Sequence, residues 1–146
     1  MFLGKKHLFH RIGHVHVPTT DLDASVAWYT RLLSFKLVNR FTDRGSELAV
    51  LHHPHMQAIA LLLIHTADKQ RMEILRNGKP FPLFTLYAPD IDEAYRRLTA
   101  NGVEADGIHV LGDGECKYFY FRDPEGHLLE ASWSIWDSQD ELKPGF

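Results

Sequence analysis

Apolar and polar residues alternate along two short stretches of the chain, and each stretch is followed by apolar residues at helical spacing. Residues 13–17 and 83–87 carry the alternating pattern of a half-buried strand. After the first stretch come Leu22, Val26, Tyr29 and Leu33, at i, i+4, i+7 and i+11. After the second come Ile91, Tyr95 and Leu98, at i, i+4 and i+7. Because an amphipathic helix has this period, the pattern predicts a strand followed by a helix at two places.

The two strand–helix units are copies of one sequence pattern. Asp21 and Asp90 begin equivalent segments, which gives a constant offset of 69 residues (90 − 21). Asp21 or Thr20 is placed to cap the first helix, and Asp90 to cap the second, because a short polar side chain can accept a hydrogen bond from the first helical turn. Asn101-Gly102 suits a left-handed end of the second helix. A repeat at fixed offset indicates two modules of the same fold.

The repeat continues beyond the helices and predicts three further strands in each module. In the first module these strands are 35–41, 47–51 and 58–65, and in the second they are 103–110, 117–121 and 127–133. We therefore predict an α+β fold of two paired βαβββ modules, in which one helix covers one face of each four-stranded sheet. The single domain covers residues 11–133, with module one at about 11–65, a linker at 66–80, module two at about 81–133, and a tail at 134–146.

Alternation along the strands predicts which side chains face away from the helices. In module two we expect a four-residue turn, 123–126, which pairs Arg122 with His127 and therefore Phe119 with Glu130. In module one, the offset of 69 makes Leu61 the equivalent of Glu130 (130 − 61).

The uncovered faces of the two sheets are predicted to enclose a cleft. Its expected lining is His14, His16, Leu61, Leu63, Leu83, Thr85, Lys117, Phe119, Phe121 and Glu130. The residues expected beneath the helices are Val15, Leu62, Phe84 and Leu86. A mainly apolar cleft with a few polar groups is the usual form of a small-molecule site.

Three motifs resemble those of the vicinal oxygen chelate superfamily, which comprises glyoxalases, bleomycin-resistance proteins and extradiol dioxygenases. The first is the strand and helix at residues 14–29 (HVHVPTTDLDASVAWY). The second combines 90–94 (DIDEA) with 101–103 (NGV), and the third is 119–130 (FYFRDPEGHLLE). The resemblance extends from about Arg11 to Trp133, and it implies a glyoxalase-like fold in which curled mixed sheets surround a cleft.

The resemblance also implies where a metal would bind. Metal-using members take ligands from the first and last strand of each module, which correspond here to His14, Leu61, Leu83 and Glu130. Histidine and glutamate suit zinc, nickel, manganese or iron(II), but two protein ligands seldom hold a catalytic metal. His65 lies about 13 Å further along its strand than Leu61, which is too far to replace it. We therefore expect a degenerate metal site formed by His14 and Glu130.

Composition narrows the possible partners and the cellular compartment. The net charge is −3, and no basic block is present, so nucleic acid is not an expected partner. Residues 1–9 lack the apolar segment of a signal peptide, and the longest apolar run, 58–64, is too short to span a bilayer. Cys116 is the only cysteine, so no intrachain disulfide can form, and we expect a cytoplasmic protein without membrane association. We expect a solvated turn at Pro54, which is flanked by His52, His53 and His55.

Three functions are compatible with these residues. In the first, the protein binds a small, partly apolar molecule without needing a metal. In the second, it is a metal-dependent lyase, isomerase, transferase or dioxygenase that uses His14 and Glu130. In the third, it is a metal-free enzyme in which these two residues form an acid–base pair. Leucine at two expected ligand positions favours the first function. The resemblance further implies a homodimer, in which a second copy covers the exposed strand edge.

Overall fold

The computed structural model describes residues 8–55 and 58–137. The amino-terminal segment 1–7 and most of the predicted tail, from 138 onward, lie outside the described residues. Module one contains β1 (His14–Thr19), α1 (Leu22–Leu32), β2 (Lys36–Asp43), β3 (Ser46–His52) and β4 (Ala60–His65). Between the modules lie β5 (Ile74–Arg76) and β6 (Lys79–Phe81). Module two contains β7 (Thr85–Tyr87), α2 (Ile91–Ala100), β8 (His109–Leu111), β9 (Cys116–Arg122) and β10 (Leu128–Ser134).

The two modules have the same sheet topology. The strand order is β1-β4-β3-β2 in the first sheet and β7-β10-β9-β8 in the second. In each sheet the first and last strands of the module pair in parallel, and the other strands pair antiparallel. The predicted α+β fold of two βαβββ modules with mixed sheets is confirmed.

The segment predicted as a linker contains a hairpin. β5 and β6 pair antiparallel across Asn77 and Gly78, both of which have positive φ angles. An Asn-Gly pair is favoured in tight hairpin turns because both residues tolerate this conformation. The polar composition of the segment concealed these short strands.

The helix ends follow the sequence pattern. The Asp21 carboxylate accepts a hydrogen bond from the Ala24 N–H at 3.0 Å, and the Asp90 carboxylate accepts one from the Glu93 N–H at 3.1 Å. Gly102 follows α2 with a φ of +78°, as the left-handed end requires. These local interactions explain why both helices begin at the predicted positions.

One hydrophobic core joins the two modules. Tyr29 of α1, Leu63 of β4, and Phe119 and Phe121 of β9 are fully buried in the same cluster. Trp28 of α1 packs near Phe121, with a distance of 6.3 Å between ring centroids. Among the described residues, no helix is long and apolar enough to cross a membrane.

Polar contacts from the β9–β10 turn also connect the modules. The Tyr29 hydroxyl donates to the buried Asp123 carboxylate at 2.8 Å, and the Thr20 N–H donates to Glu125 at 2.6 Å. Burial raises the pKa of Asp123, and burial together with the Asp123 charge raises the pKa of Tyr29 well above its ordinary value. The sequence predicts a turn here, but it does not predict the contacts of this turn with module one.

His127 fixes the end of the same turn. Its side chain is buried, and its Nδ1 accepts a hydrogen bond from the Met72 N–H at 3.1 Å. Its Nε2 lies 2.9 Å from the Pro18 carbonyl oxygen at the end of β1. A neutral imidazole that accepts at Nδ1 and donates at Nε2 satisfies both contacts. His127 therefore connects module two with both β1 and the segment between the modules.

Candidate functional site

Strand register divides each sheet into a face covered by its helix and an open face. α1 packs against β2, β3 and β4, and α2 packs against β9 and β10. Side chains that are paired across neighbouring strands lie on the same face. Open face one, on module one, carries His14, His16, Val50, Ala60, Leu62 and Ile64. Open face two, on module two, carries Thr85, Tyr118, Tyr120, Leu128, Glu130 and Ser132.

The predicted orientation of β4 is wrong. Leu61 pairs with Val15 and Leu63 pairs with Val17, and both leucines are buried in the core beneath α1. Leu62 pairs with His16 and lies on open face one. Because the run 58–64 is apolar on both faces, its pattern could not fix the orientation.

The same register corrects the equivalence between the modules. His16 corresponds to Thr85 (85 − 16 = 69), and their paired residues are Leu62 and Glu130 (130 − 62 = 68). Leu62, rather than Leu61, therefore occupies the position of Glu130. A shift of one residue moves every side chain of a strand to the opposite face.

The predicted orientation of β9 is also wrong. Arg122 pairs with Leu128 instead of His127, so the turn contains residues 123–127. Phe119 and Phe121 are consequently buried in the core. Lys117 faces α2, where its Nζ lies 3.9 Å from the Asp92 carboxylate. These three residues do not line an open face.

The other predicted site residues have different environments. His14, His16 and Thr85 are exposed, and Glu130 is half-buried, all on the open faces. Leu83 lies just before β7 and is half-buried against the core. As predicted, Val15, Phe84 and Leu86 also pack against the core.

Two histidines are in contact on open face one. Nε2 of His14 lies 3.2 Å from Nε2 of His16, and the rings meet edge to face with centroids 4.8 Å apart. In a neutral pair, one ring donates its Nε2 proton to the other. The two side chains converge because residues i and i+2 of a strand lie on the same face.

Open face two has a carboxylate at its centre. The Thr85 hydroxyl donates to Glu130 at 2.5 Å. Burial raises the pKa of the Tyr120 phenol, and the nearby negative charge of Glu130 raises it further. Glu130 thus accepts a hydrogen bond from Thr85 and lies opposite Tyr120 on the neighbouring strand, with acceptor capacity left for a ligand.

Aromatic rings share open face two with this carboxylate. Tyr118 and Tyr120 have centroids 5.6 Å apart, and His109 stacks on Tyr118 at 4.9 Å. Phe81 lies 6.5 Å from Tyr120, and the Arg76 guanidinium lies 5.2 Å from the Phe81 ring centre. Sequence reasoning missed these residues, because both faces of the run 117–121 contain aromatic residues and the assumed turn selected the wrong face.

The residues fit only part of the family's metal site. His14 and Glu130 have suitable donor atoms, whereas Leu62 and Leu83 have none. The recorded contact of His14 is with His16, and the hydrogen bond of Glu130 is with Thr85. Within residues 8–55 and 58–137, no group of three histidine, cysteine, aspartate or glutamate side chains is placed to hold an ion. A complete site of the family's type is thus not assembled within the described part of one chain.

A surface recess lies where β1 and β4 end. It is lined by Pro18, Thr66 and the segment 68–72, next to His127. None of the predicted site residues lines it. Because His127 lines the recess and contacts both Met72 and Pro18, the recess lies where the two modules are connected.

The sequence of this chain is similar to sequences of known proteins. The model of the Glyoxalase/Bleomycin resistance protein/Dioxygenase superfamily matches residues 11–131. Metallothiol transferase FosB of Shouchella clausii (strain KSM-K16) is 28% identical over 127 residues, which cover 82% of this chain and 77% of FosB.

Solved structures share the fold at lower sequence identity. FosX from Listeria monocytogenes, a genomically encoded fosfomycin resistance protein, superposes with a TM-score of 0.69 at 18% identity, covering 88% of this chain and 97% of FosX. TnmS3, an antibiotic binding protein from Streptomyces sp. CB03234, gives a TM-score of 0.68 at 18% identity, covering 88% of this chain and 99% of TnmS3.

Proposed function

This chain belongs to the Glyoxalase/Bleomycin resistance protein/Dioxygenase superfamily, and from that premise we propose that it binds a small, partly apolar molecule on its open faces. The observation that carries the proposal is that Glu130, bonded to Thr85, shares open face two with the rings of Tyr118 and Tyr120. A few oriented polar groups in apolar surroundings are typical of small-molecule sites. TnmS3, which is described as an antibiotic binding protein, supports a binding role.

The chemistry of open face two favours a flat aromatic ligand with a hydrogen-bond donor or a positive charge. Tyr118 and Tyr120 offer ring surface, and aromatic pairs stabilise contacts by about 0.5–1.5 kcal/mol beyond the area they bury. Glu130 provides an acceptor next to that surface. A donor on the ligand would bond to the carboxylate while its ring stacks on the tyrosines.

We propose that a second copy of the chain completes the cleft. In the part of the chain that the structure describes, the four outer strands of the two sheets, β1, β2, β7 and β8, each have one edge without a strand partner. Large apolar side chains are exposed on these strands or just before them, including Ile12, Val38, Phe41, Tyr87 and Val110. Exposed edges and apolar patches are commonly covered by a partner.

Light scattering coupled to size-exclusion chromatography is expected to give twice the chain mass of 16.8 kDa at micromolar concentration. Val38→Asp and Val110→Asp place a charge on the outer strands, where a partner is expected, and they are predicted to shift the protein toward monomer. Asp113→Asn, in an exposed turn, serves as the control variant. A stable wild-type monomer contradicts the proposed dimer.

A metal-dependent enzyme is the second candidate function. FosB, described as a metallothiol transferase, favours it, and His14 and Glu130 are the residues that would ligate zinc, nickel, manganese or iron. Such an ion would polarise oxygen atoms of a bound substrate, as lyases, isomerases, transferases and ring-cleaving dioxygenases require. A metal-free acid–base pair of the same residues is less favoured, since His14 contacts His16 rather than Glu130.

We also propose a cytoplasmic location. Cys116 is the only cysteine in the sequence and is half-buried, so the fold does not depend on an intrachain disulfide. Proteins of reducing compartments typically lack such bonds.

Replacing Glu130 with glutamine is expected to abolish a preference for cationic aromatic ligands. The probes are 2-naphthylmethylamine, which is positively charged at neutral pH, and its neutral analogue 2-naphthylmethanol. Wild-type protein is expected to bind the amine about tenfold more tightly, because hydrogen bonds to charged groups contribute about 1.5–3 kcal/mol and partial exposure reduces this. Tyrosine fluorescence or calorimetry measures both affinities.

Glu104→Gln removes an exposed carboxylate elsewhere and is expected to retain the preference. If Glu130→Gln discriminates between the two probes as the wild type does, Glu130 is not the binding carboxylate. If the wild type binds neither probe, the aromatic ligand class is wrong.

A further inference from the structure

We propose that His14 and His16 together chelate one divalent transition-metal ion on open face one. His16 then supplies a nitrogen ligand outside the superfamily's positions, and it compensates for the leucine at position 83. The pair lies within a single chain, so the site requires neither Glu130 nor a second copy. It is also independent of the proposed small-molecule function.

The distance between the two nitrogens fits a shared ion. Nε2 of His14 and Nε2 of His16 are 3.2 Å apart. Zinc–nitrogen bonds are about 2.0–2.1 Å long, so two ligands that subtend 90–109° at the ion lie about 2.9–3.4 Å apart. The observed separation falls within this interval, so rotation of the exposed rings about their side-chain bonds would direct both lone pairs at one ion without moving the backbone.

The surroundings allow an ion to reach both rings. His14 and His16 are exposed on β1, which is an edge strand of its sheet. No hydrogen bond found among the described residues occupies the Nδ1 atom of either ring. The proton that joins the Nε2 atoms can therefore move to Nδ1 of the donating ring, which leaves both Nε2 lone pairs for the ion.

The repeat provides an internal comparison. The positions of module two that correspond to His14 and His16 are Leu83 and Thr85 (83 − 14 = 69; 85 − 16 = 69). Thr85 donates to Glu130 and forms no pair of ligands with Leu83. The paired imidazoles are thus specific to module one and do not follow from the repeated fold.

The two imidazole nitrogens determine which class of ion is expected to bind. Imidazole suits zinc, nickel and copper, and among divalent ions copper(II) generally binds nitrogen sites most tightly. Two protein ligands leave the remaining coordination positions for water or for oxygen atoms of a bound molecule. The site is therefore expected to be open and readily exchangeable rather than a closed structural site.

Calorimetric titration of the untagged protein with Zn(II) tests the proposal. The wild type is expected to bind one ion per chain, and His14→Gln and His16→Gln are each expected to weaken this binding at least about tenfold, since even outer-shell changes commonly cost 10- to 100-fold in metal affinity. Glu130→Gln is expected to bind normally. His10→Ala with His65→Ala removes two other exposed histidines and is the matched control.

Electron paramagnetic resonance of bound Cu(II) gives a second measurement. The nitrogen hyperfine pattern of the wild type is expected to require two imidazoles, and that of His16→Gln only one. Unchanged affinity in His16→Gln, no stoichiometric binding by the wild type, or a loss confined to His14 and Glu130 variants would each overturn the proposal. The last result would instead support the superfamily's own ligand set, so the two hypotheses are distinguishable.

Discussion

Leu61→Glu is expected to lower the free energy of unfolding by about 3–5 kcal/mol, whereas Leu62→Glu is expected to cost about 1 kcal/mol. Leu61 is 2% exposed and packs in the core beneath α1, while Leu62 is half-buried on open face one. Glutamate at Leu61 would place an unpaired carboxylate among apolar side chains and also remove leucine packing. Urea denaturation at neutral pH measures both variants.

The pair of variants is matched because adjacent leucines receive the same substitution. Equal destabilisation would mean that β4 does not have the register found here. The result also shows where a metal ligand of the superfamily's type would have to be introduced in module one. A glutamate equivalent to Glu130 would have to be placed at Leu62. A carboxylate at Leu61 would point into the core.

Asp123→Ala is expected to cost about 3 kcal/mol of stability. The carboxylate accepts hydrogen bonds from the Tyr29 hydroxyl at 2.8 Å and from the N–H groups of Glu125 and His127, both at 2.9 Å. Alanine would leave the Tyr29 hydroxyl buried without an acceptor and would release the turn that connects the modules. Thermal and urea denaturation measure the loss.

Asp113→Ala, in an exposed turn, is the control and is expected to change stability by less than about 0.5 kcal/mol. A loss below about 1 kcal/mol for Asp123→Ala would contradict the connecting role of this turn.

The free energy of unfolding measured as a function of pH distinguishes the effect of the Asp123 charge from the effect of its hydrogen bonds. Burial raises the pKa of Asp123, so the folded state holds this proton more tightly than the unfolded state does. The resulting stabilisation is fully present below the unfolded pKa of about 3.9, and it is lost as the pH rises through the raised folded pKa. Asp123→Asn cannot titrate, and this part of the wild-type pH dependence is expected to be absent from it.

The sequence by itself determined the fold class, the starts of both helices and the end of the second helix. The 69-residue repeat predicted two βαβββ modules, because each copy carries the alternation of strands and the period of a helix. Asp21, Asp90 and Gly102 act within a few residues of their positions in the chain, so their roles could be inferred from local chemistry. The motifs at 14–29 and 119–130 correctly indicated the superfamily.

The composition of the candidate site depended on tertiary structure. Four of the predicted lining residues, Leu61, Leu63, Phe119 and Phe121, are core residues instead. In both strands concerned, apolar or aromatic residues occupy consecutive positions, so alternation does not distinguish the faces. The orientation then depends on the register, which is set by the length of the turn that connects the paired strands.

His127 shows why the turn length could not be inferred from the sequence. A four-residue turn would have placed His127 in β10, opposite Arg122. Asp123 and His127 close the turn, because the Asp123 N–H donates to the His127 carbonyl at 3.0 Å and the His127 N–H donates to the Asp123 carboxylate at 2.9 Å. The His127 ring adds contacts with Met72 and with the Pro18 carbonyl, which are 55 and 109 residues away in sequence. Local sequence patterns report on neighbours along the chain, whereas these two contacts form only after the modules pack together. With His127 in the turn, Tyr118 and Tyr120, rather than Phe119 and Phe121, share the open face with Glu130.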